Sequence, residues 1–173
     1  MNCPNCGAPM RLEKDKDYFN CDYCKNLYFP QASEEGVRVL GEPTPLNCPV
    51  CAVPLLHATA GGMRFLYCDR CRGMLIPMGI FVALIEELRA QLGAPSIIQG
   101  RADPADVKRQ LACPQCHGPM DTHPYYGPGN IIIDSCSRCD VNWLDHGELL
   151  RVARAPDHPF KVEWLPPPPE LDV

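Results

Sequence analysis

Short apolar runs that flank polar or glycine-rich turns recur three times along the chain, and each recurrence predicts a β-hairpin. The first turn is the charged stretch 14–17, which the pattern assigns to a solvated tip. The second is the Ala-Gly-Gly turn at 60–62, followed by the apolar run 63–67. The third is the turn at 127–130, followed by three isoleucines at 131–133. The pattern therefore predicts a β-rich chain with three hairpins in series.

A helical period follows the second hairpin, over residues 78–92, and glycine and proline end this helix. A second helix is predicted over 146–154, where Asp145 and Glu148 fit a capping box. We interpret the apolar face of helix 78–92 first as packing against neighbouring modules and second as a surface for a partner or a second copy. That face consists of Ile80, Phe81, Leu84, Ile85, Leu88 and Leu92.

The connecting stretches have weaker signals. The Glu-Pro-Thr-Pro stretch at 42–45 predicts an extended spacer, and the polar residues 31–36 predict one helical turn. A short helix is expected over 105–111, because an Asp-Pro pair precedes it. Apolar runs ending in proline, at 27–30 and 74–77, predict strands that pack over the cysteines just before them.

All twelve cysteines of the chain fall into six Cys-x-x-Cys pairs, and each hairpin joins two of these pairs. Such a pair forms a tight turn that points two sulfurs at one metal ion, so two facing pairs supply a closed tetrahedron of thiolates. The spacing therefore predicts three structural zinc ions, one for each of the following sets. They are Cys3, Cys6, Cys21 and Cys24; Cys48, Cys51, Cys68 and Cys71; and Cys113, Cys116, Cys136 and Cys139.

The repeats divide the chain into modules over 1–41, 46–93 and 113–155, with a linker at 94–112 and a proline-rich tail at 156–173. The hairpin of each module with its cysteines is only about 30 residues long, and chains shorter than about 40 residues rarely fold on a hydrophobic core alone. A structural zinc ion supplies about 10–16 kcal/mol in small zinc-finger peptides, which is enough to replace a missing interior. Removal of the metal is therefore expected to cost the protein most of its order.

Other uses of cysteine pairs remain as alternatives to zinc. Four thiolates also bind iron, so a rubredoxin-like electron carrier stays open on spacing alone. A disulfide framework is disfavoured, because no signal peptide precedes the first pair. No transmembrane span is expected either, since the longest apolar run, 74–85, is shorter than the roughly 20 residues that a bilayer needs. A cytoplasmic location with reduced thiols is expected. A thioredoxin-type switch is disfavoured because these pairs lie in hairpins and not at a helix start.

The charge of the chain opposes nucleic-acid binding. The formal net charge is −5, and each zinc bound by four thiolates adds two further negative charges, to about −11 for the loaded protein. A nucleic-acid-binding accessory factor remains the rival hypothesis, with Arg64, Arg70 and Arg72 as its contacts. Aromatic residues that could stack bases are interpreted instead as hydrophobic cover for the metal sites. They are Tyr18, Phe19, Tyr28, Phe65 and Tyr67.

The third module resembles the zinc-ribbon family described as transcription-factor zinc finger, or TFIIB type, over its whole length. The resemblance is carried by Cys113, Pro114, Cys116, Ile133, Asp134, Cys136, Cys139, Trp143, Leu144, Asp145, Gly147, Glu148 and Leu149. It implies a fold of three tandem zinc ribbons and zinc bound by four cysteines in each. The second module keeps its cysteines but has Leu75, Ile76 and Pro77 in place of the Trp-Leu-Asp stretch. The first keeps only the cysteines, the prolines and an aromatic residue.

No Ser/His/Asp order, phosphate loop or pair of carboxylates at a useful spacing is present in the sequence, so enzymatic activity is not expected. His117 and His146 lie near cysteine pairs, but four cysteines already complete each site. The expected role is a non-catalytic adaptor or accessory subunit that binds another protein. Its candidate surfaces are helix 78–92 and the tail 156–173, where Phe, Val and Trp alternate.

Overall fold

The computed structural model describes residues 1–13, 16–92, 107–125 and 131–155. Within these ranges the chain forms ten strands and two helices, as the pattern predicted in outline. The strands are β1 (Met10–Leu12), β2 (Phe19–Cys21), β3 (Leu27–Tyr28), β4 (Arg38–Asn47), β5 (Pro54–Ala60), β6 (Met63–Tyr67), β7 (Met74–Pro77), β8 (Asp121–Pro124), β9 (Ile132–Cys136) and β10 (Val141–Leu144). The helices are α1 (Met78–Leu92) and α2 (Glu148–Arg154).

Each ribbon is a hairpin followed by a third strand. The third strand of the first ribbon pairs only with its own hairpin among the described residues, whereas those of the second and third ribbons also pair with each other. In the first ribbon β1, β2 and β3 form a separate three-stranded antiparallel sheet. The second and third ribbons share one sheet of seven strands in the order β4-β5-β6-β7-β10-β9-β8. Their third strands, β7 and β10, pair antiparallel at its centre. The second and third ribbons are therefore one body.

The β7–β10 pairing has an approximate two-fold symmetry. Leu75 lies opposite Trp143 in the register. Each of the two is the fourth residue after the last cysteine of its ribbon, Cys71 and Cys139. Equivalent positions of the two ribbons therefore face each other, as they do in a symmetric dimer.

This symmetry explains why the second ribbon lacks a tryptophan. Trp143 is fully buried, and its ring lies against Gly73, where an added Cβ would overlap the indole. A second indole at the facing position would compete for the same space, and Leu75 is the smaller residue found there. The departure from the Trp-Leu-Asp pattern thus follows from the joining of the two ribbons.

The seven-stranded sheet buries a core on each face. One core contains the two helices and residues from five strands, with Ile76, Leu84 and Leu144 at 0% exposure. The other contains cysteines of the second and third ribbons together with Leu75 and Trp143. The helices and the cysteine clusters therefore lie on opposite faces. A third, smaller core in the first ribbon contains Cys3, Met10, Phe19, Cys21 and Leu40.

Helix α1 has the predicted bounds, and its apolar face is largely used inside the chain. Phe81, Leu84, Ile85 and Leu88 are buried, and Ile80 is partly buried against the same core. Leu92, the last residue of the predicted face, is 40% exposed. Internal packing therefore accounts for most of this face.

The segment at 42–45, predicted to be a spacer, is part of β4 and is paired with β5. The register shifts near Pro43, as expected where a proline cannot donate to the ladder. Leu40 is fully buried in the core of the first ribbon, whereas Val39 packs against the helix-side core. This strand therefore ties the first ribbon to the larger sheet.

The helical turn predicted at 31–36 is wrong, because this stretch is a hydrogen-bonded turn in which Ser33 N–H donates to Val37 O at 2.8 Å. The turn buries Glu35, which is 4% exposed. Its carboxylate accepts hydrogen bonds from Gly147 N–H at 3.0 Å and from His146 Nδ1 at 2.9 Å. A contact from the connector to the third ribbon therefore replaces the local helix.

The charged tip of the first hairpin is not simply solvated. Lys16 O accepts a hydrogen bond from the Arg64 guanidinium at 2.8 Å, and Asp17 accepts one from Thr59 Oγ1 at 3.2 Å. The first hairpin therefore rests on the second. Residues 14 and 15 of this tip lie outside the described residues, as do the turn at 127–130 and the tail 156–173.

The capping box of α2 forms in part. The Glu148 carboxylate accepts from Asp145 N–H at 2.8 Å, as the pattern predicts, and the helix begins at Glu148. The Asp145 side chain instead accepts from Trp143 Nε1 at 3.1 Å and from Arg109 at 2.6 Å. Of the helix predicted over 105–111, residues 107 and 108 are helical, and 105–106 lie outside the described residues.

We expect Gly73→Ala to destabilise the zinc-loaded protein by about 1–3 kcal/mol, because the new methyl group would displace the Trp143 ring. Gly79→Ala is the matched control, since its Cβ position is open and alanine favours a helix by about 0.5–1 kcal/mol. Thermal unfolding followed by circular dichroism measures both variants. Equal midpoints for the two would contradict the packing described here.

Candidate metal centres

The structure brings each predicted set of four cysteines together. Within each set all Sγ atoms lie within 4.8 Å of one another. In each set one cysteine of each Cys-x-x-Cys pair is buried and the other is more open. The sets are Cys3, Cys6, Cys21 and Cys24; Cys48, Cys51, Cys68 and Cys71; and Cys113, Cys116, Cys136 and Cys139.

The sulfur separations fit a tetrahedral zinc ion. A Zn–S bond of about 2.3 Å implies S–S edges of about 3.8 Å in a regular tetrahedron. The closest separations are 3.5 Å for Cys6–Cys21 and 3.6 Å for Cys48–Cys71, and Cys116 lies 3.7 Å from the Cys136 sulfur. These distances are far longer than the roughly 2.05 Å of a disulfide bond. The three tetrads fit three zinc ions.

The backbone of each Cys-x-x-Cys turn holds its sulfurs in place. At Cys48, the backbone N–H donates to Val53 O at 2.8 Å, and the carbonyl oxygen accepts from Ala52 N–H at 2.9 Å. The N–H of Cys51 then points at the Cys48 Sγ at 3.3 Å. The same backbone pair recurs at Cys3, Cys21, Cys68 and Cys113. Five of the six turns are therefore built by the same local hydrogen bonds, and in the second ribbon Cys71 N–H likewise points at the Cys68 Sγ at 3.5 Å.

The residue that follows the second cysteine of every pair has a left-handed backbone. These residues are Gly7, Lys25, Ala52, Arg72, His117 and Asp140, with φ between 52° and 75°. Glycine, the residue that favours this conformation, fills one of the six positions. The residue types at these six positions differ, so residue type alone does not predict the left-handed conformation. Their fixed place directly after each Cys-x-x-Cys pair is the signal that could have predicted it.

Without metal, the thiols of one tetrad cannot all ionise together. In the third ribbon the backbone N–H of Gly118 lowers the pKa of Cys116 to about 7. Burial raises the pKa of Cys139 to about 12, and the neighbouring thiols of Cys116 and Cys113 add to this rise. A divalent cation removes the conflict because it neutralises the charge that four clustered thiolates create.

The surroundings of the three tetrads differ. The second and third tetrads share a buried core with Leu75, Trp143 and Met120. The first tetrad is covered by the smaller core that contains Phe19 and Leu40. Its Cys6 is exposed, whereas each cysteine of the other two tetrads is buried or partly buried. The first site is therefore the most open to solvent and chelators.

The histidines near the tetrads have other contacts or positions. His146 binds the Glu35 carboxylate, and His117 occupies one of the left-handed positions. The structure also shows a polar row that sequence reasoning missed. Ser135 Oγ donates to Asn142 Oδ1 at 2.8 Å and lies 2.9 Å from His123 Nε2. Because β8, β9 and β10 are adjacent, this row links three strands of the third ribbon.

Several of the residues proposed for nucleic-acid contact are buried or have contacts within the chain, whereas two of the arginines are exposed. Phe19 is buried in the core that contains Cys3 and Cys21, which fits the cover interpretation. For Phe65 and Tyr67 that interpretation is wrong, because both are buried in the helix-side core, on the face opposite the metal sites. Arg64 donates to the Lys16 carbonyl oxygen at 2.8 Å. Arg70, like Arg72, is exposed.

A family model described as transcription factor zinc-finger, a TFIIB-type zinc ribbon, matches residues 47–87 and 112–155. The two segments are the second and third ribbons, each with the start or the whole of the helix that follows it. Neither the curated proteins nor the solved structures that were compared gave a match to this chain. The family match favours zinc over iron in these tetrads. Neither described helix is long and apolar enough to span a membrane.

We expect gently purified protein to be colourless and to contain about three zinc ions per chain, as three complete tetrads require. Elemental analysis checks the metal content. A chelator should release the first zinc fastest because Cys6 is exposed, and Cys6→Ser should remove that fast phase alone. A red protein with a similar amount of iron would contradict the zinc assignment.

The left-handed position at Ala52 allows a test of the turn geometry. We expect Ala52→Val to destabilise the protein by about 1–3 kcal/mol, because a β-branched side chain is strained at a φ of 56°. Ala52→Gly serves as the control and should be neutral or stabilising, since glycine adopts this φ freely. Thermal unfolding of both variants, with zinc content held equal, measures the difference. A valine variant as stable as the glycine variant would contradict the assigned backbone.

Proposed function

We propose that this chain, whose second and third ribbons are zinc ribbons of the transcription factor zinc-finger type, is a non-catalytic adaptor that binds another protein. Four thiolates complete the coordination of each zinc, so no position is left for a water molecule that could be activated. Zinc then acts as a structural element, which holds two ribbons as a rigid body and the first ribbon against it.

The observation that carries the proposal is the contact between α1 and the end of α2. The Arg89 guanidinium donates hydrogen bonds to Val152 O at 3.3 Å, Ala153 O at 3.3 Å and Ala155 O at 3.2 Å. This contact fixes the last described residue of the chain beside the second half of α1. In the sequence, this residue is followed by the segment 156–173, in which Phe160, Val162 and Trp164 alternate.

The outward side of α1 offers an apolar contact of its own. Val82, which lies outside the apolar face that packs on the core, is 64% exposed, and Leu92, at the end of that face, is 40% exposed. Glu86 and Glu87 are exposed on the same helix. We therefore expect a partner that supplies apolar side chains flanked by basic ones, and that contacts α1 and the tail together.

Nucleic-acid binding is the second candidate, and the exposure of Arg70 and Arg72 is the observation that favours it. These two side chains lie beside the second metal site, where the four thiolates and one zinc carry a net charge of −2. The formal charge of the whole chain is −5 before metal is counted. Long-range attraction to phosphate is therefore weak, which makes the protein partner the better-supported proposal.

We expect zinc-loaded protein to retain one defined partner in affinity purification, and deletion of 156–173 or Val82→Glu to reduce its recovery at least about tenfold, as loss of a contact worth roughly 1.4 kcal/mol or more would. Val50→Glu is the matched control, because Val50 is also an exposed valine at 47% but lies on the second ribbon, away from α1. Nuclease treatment before capture separates the two candidates. Recovery that depends on nucleic acid, or that all variants leave unchanged, would contradict the adaptor proposal.

A further inference from the structure

We propose that the chain self-associates through its first ribbon, with β3 of one copy pairing antiparallel with β3 of a second copy about a two-fold axis. The pairing copies the one by which β7 joins β10 within the chain. The proposed dimer uses residues of the first ribbon, whereas the adaptor proposal uses α1 and the segment 156–173, so the two proposals can be tested independently.

The third strands of the ribbons occupy equivalent places. Leu27, Tyr28 and Phe29 are the third, fourth and fifth residues after Cys24. The same places after Cys71 and Cys139 are held by Met74, Leu75 and Ile76, and by Asn142, Trp143 and Leu144. A proline follows both Phe29 and Ile76. The first ribbon therefore has the equivalent strand, and in the sheet order β1-β2-β3 no strand among the described residues pairs with its outer side.

The apolar side chains of β7 and β10 differ in solvent exposure from those at the equivalent positions of the first ribbon. Met74, Leu75 and Ile76 are 0%, 2% and 0% exposed, and Leu144 is 0% exposed. In the first ribbon, Leu27 is 48% exposed and Phe29 is 61% exposed. Met74, Ile76 and Leu144 are buried in the core that contains the two helices, whereas no helix lies between β3 and β4 in the described part of the chain. Leu27 and Phe29 therefore present apolar side chains to solvent beside the outer edge of β3.

The backbone of β3 is in the correct phase to accept a neighbour. Cys21 N–H donates to Asn26 O at 2.9 Å, and Phe19 lies opposite Tyr28 in the register. Hydrogen-bonded pairs alternate along an antiparallel ladder, so the N–H and C=O of Tyr28 point toward β2. Those of the residues on either side, Leu27 and Phe29, then point toward the open edge. β7 has the same phase, with Cys68 N–H donating to Gly73 O at 2.9 Å.

A second copy fits this edge because the edge is self-complementary. In the register of β7 and β10, Tyr28 faces its own counterpart, as Leu75 faces Trp143. Unlike Trp143, Tyr28 packs against the core of its own ribbon, with its ring centroid 6.4 Å from that of Phe19. Leu27 then faces Phe29 of the second copy, so that apolar residues lie opposite each other and no charge lies within 27–30. The Tyr18 ring, with its centroid 5.1 Å from that of Phe29, already holds this side chain in position.

The outer strands of the seven-stranded sheet are less suited to this pairing. β4 contains Pro43 and Pro45, which cannot donate to a neighbour. β8 is short, mostly exposed and polar, and ends in Pro124. Because β3 is also short, its interface is small, and we expect a reversible dimer with a dissociation constant in the micromolar to millimolar range.

The test is sedimentation equilibrium of the full zinc-loaded chain, over concentrations from micromolar to millimolar. We expect Phe29→Lys and Leu27→Glu each to weaken the dimer at least about tenfold, because a charge would face an apolar residue of the second copy. An equimolar mixture of the two variants should associate again. In that heterodimer one pair is lysine against glutamate, and the other is the native pair of Leu27 and Phe29.

Val107→Lys is the matched control, because Val107 is 54% exposed and lies outside the first ribbon. It should dimerise as the unchanged chain does, and all variants should keep about three zinc ions per chain. A chain that stays monomeric at millimolar concentration would overturn the proposal, as would a mixture that does not reassociate. Partner capture through α1 could still succeed in that case, so failure of the dimer is distinct from failure of the adaptor proposal.

Discussion

Bonds from four cysteine sulfurs to one zinc ion at the base of each hairpin are the constraint on which the rest of this structure depends. The first ribbon has only three short strands and a small core, and two of the five buried residues of that core are cysteines. In the second and third ribbons, cysteines again form part of the interior, beside Leu75 and Trp143. Metal ligands are thus part of two of the hydrophobic cores, so we expect metal binding and folding to be coupled.

A second constraint acts where two ribbons meet. Pairing β7 with β10 joins two small units into a sheet that can bury a core on each face, which neither ribbon has the residues to do alone. The β7–β10 pairing also restricts which residue types fit there, because equivalent residues of the two ribbons face each other across it. One indole fills the space, so its counterpart is Leu75, and Gly73 makes room for the ring.

Some apolar surfaces of the chain are used for internal packing, and others remain open to other molecules. Most of the apolar face of helix α1 is buried in the shared core, and the Arg89 guanidinium donates a hydrogen bond to Ala155 O at the end of α2. Within the residues that the structure describes, no helix lies between β3 and β4 and no strand pairs with the outer side of β3. Leu27 and Phe29 are exposed there. A repeat protein of this kind can thus keep one copy of its repeat for recognition while the other copies build the scaffold.

The sequence alone determined the hairpins, the grouping of the twelve cysteines and the bounds of α1, because each depends on local spacing and period. The turn at 60–62 is one example, since both its glycines have positive φ. Tertiary structure alone decided that residues 42–45 form a strand, that Glu35 binds Gly147, and that Leu75 meets Trp143. These contacts join residues far apart in the chain, and no local pattern specifies which ribbon lies beside which.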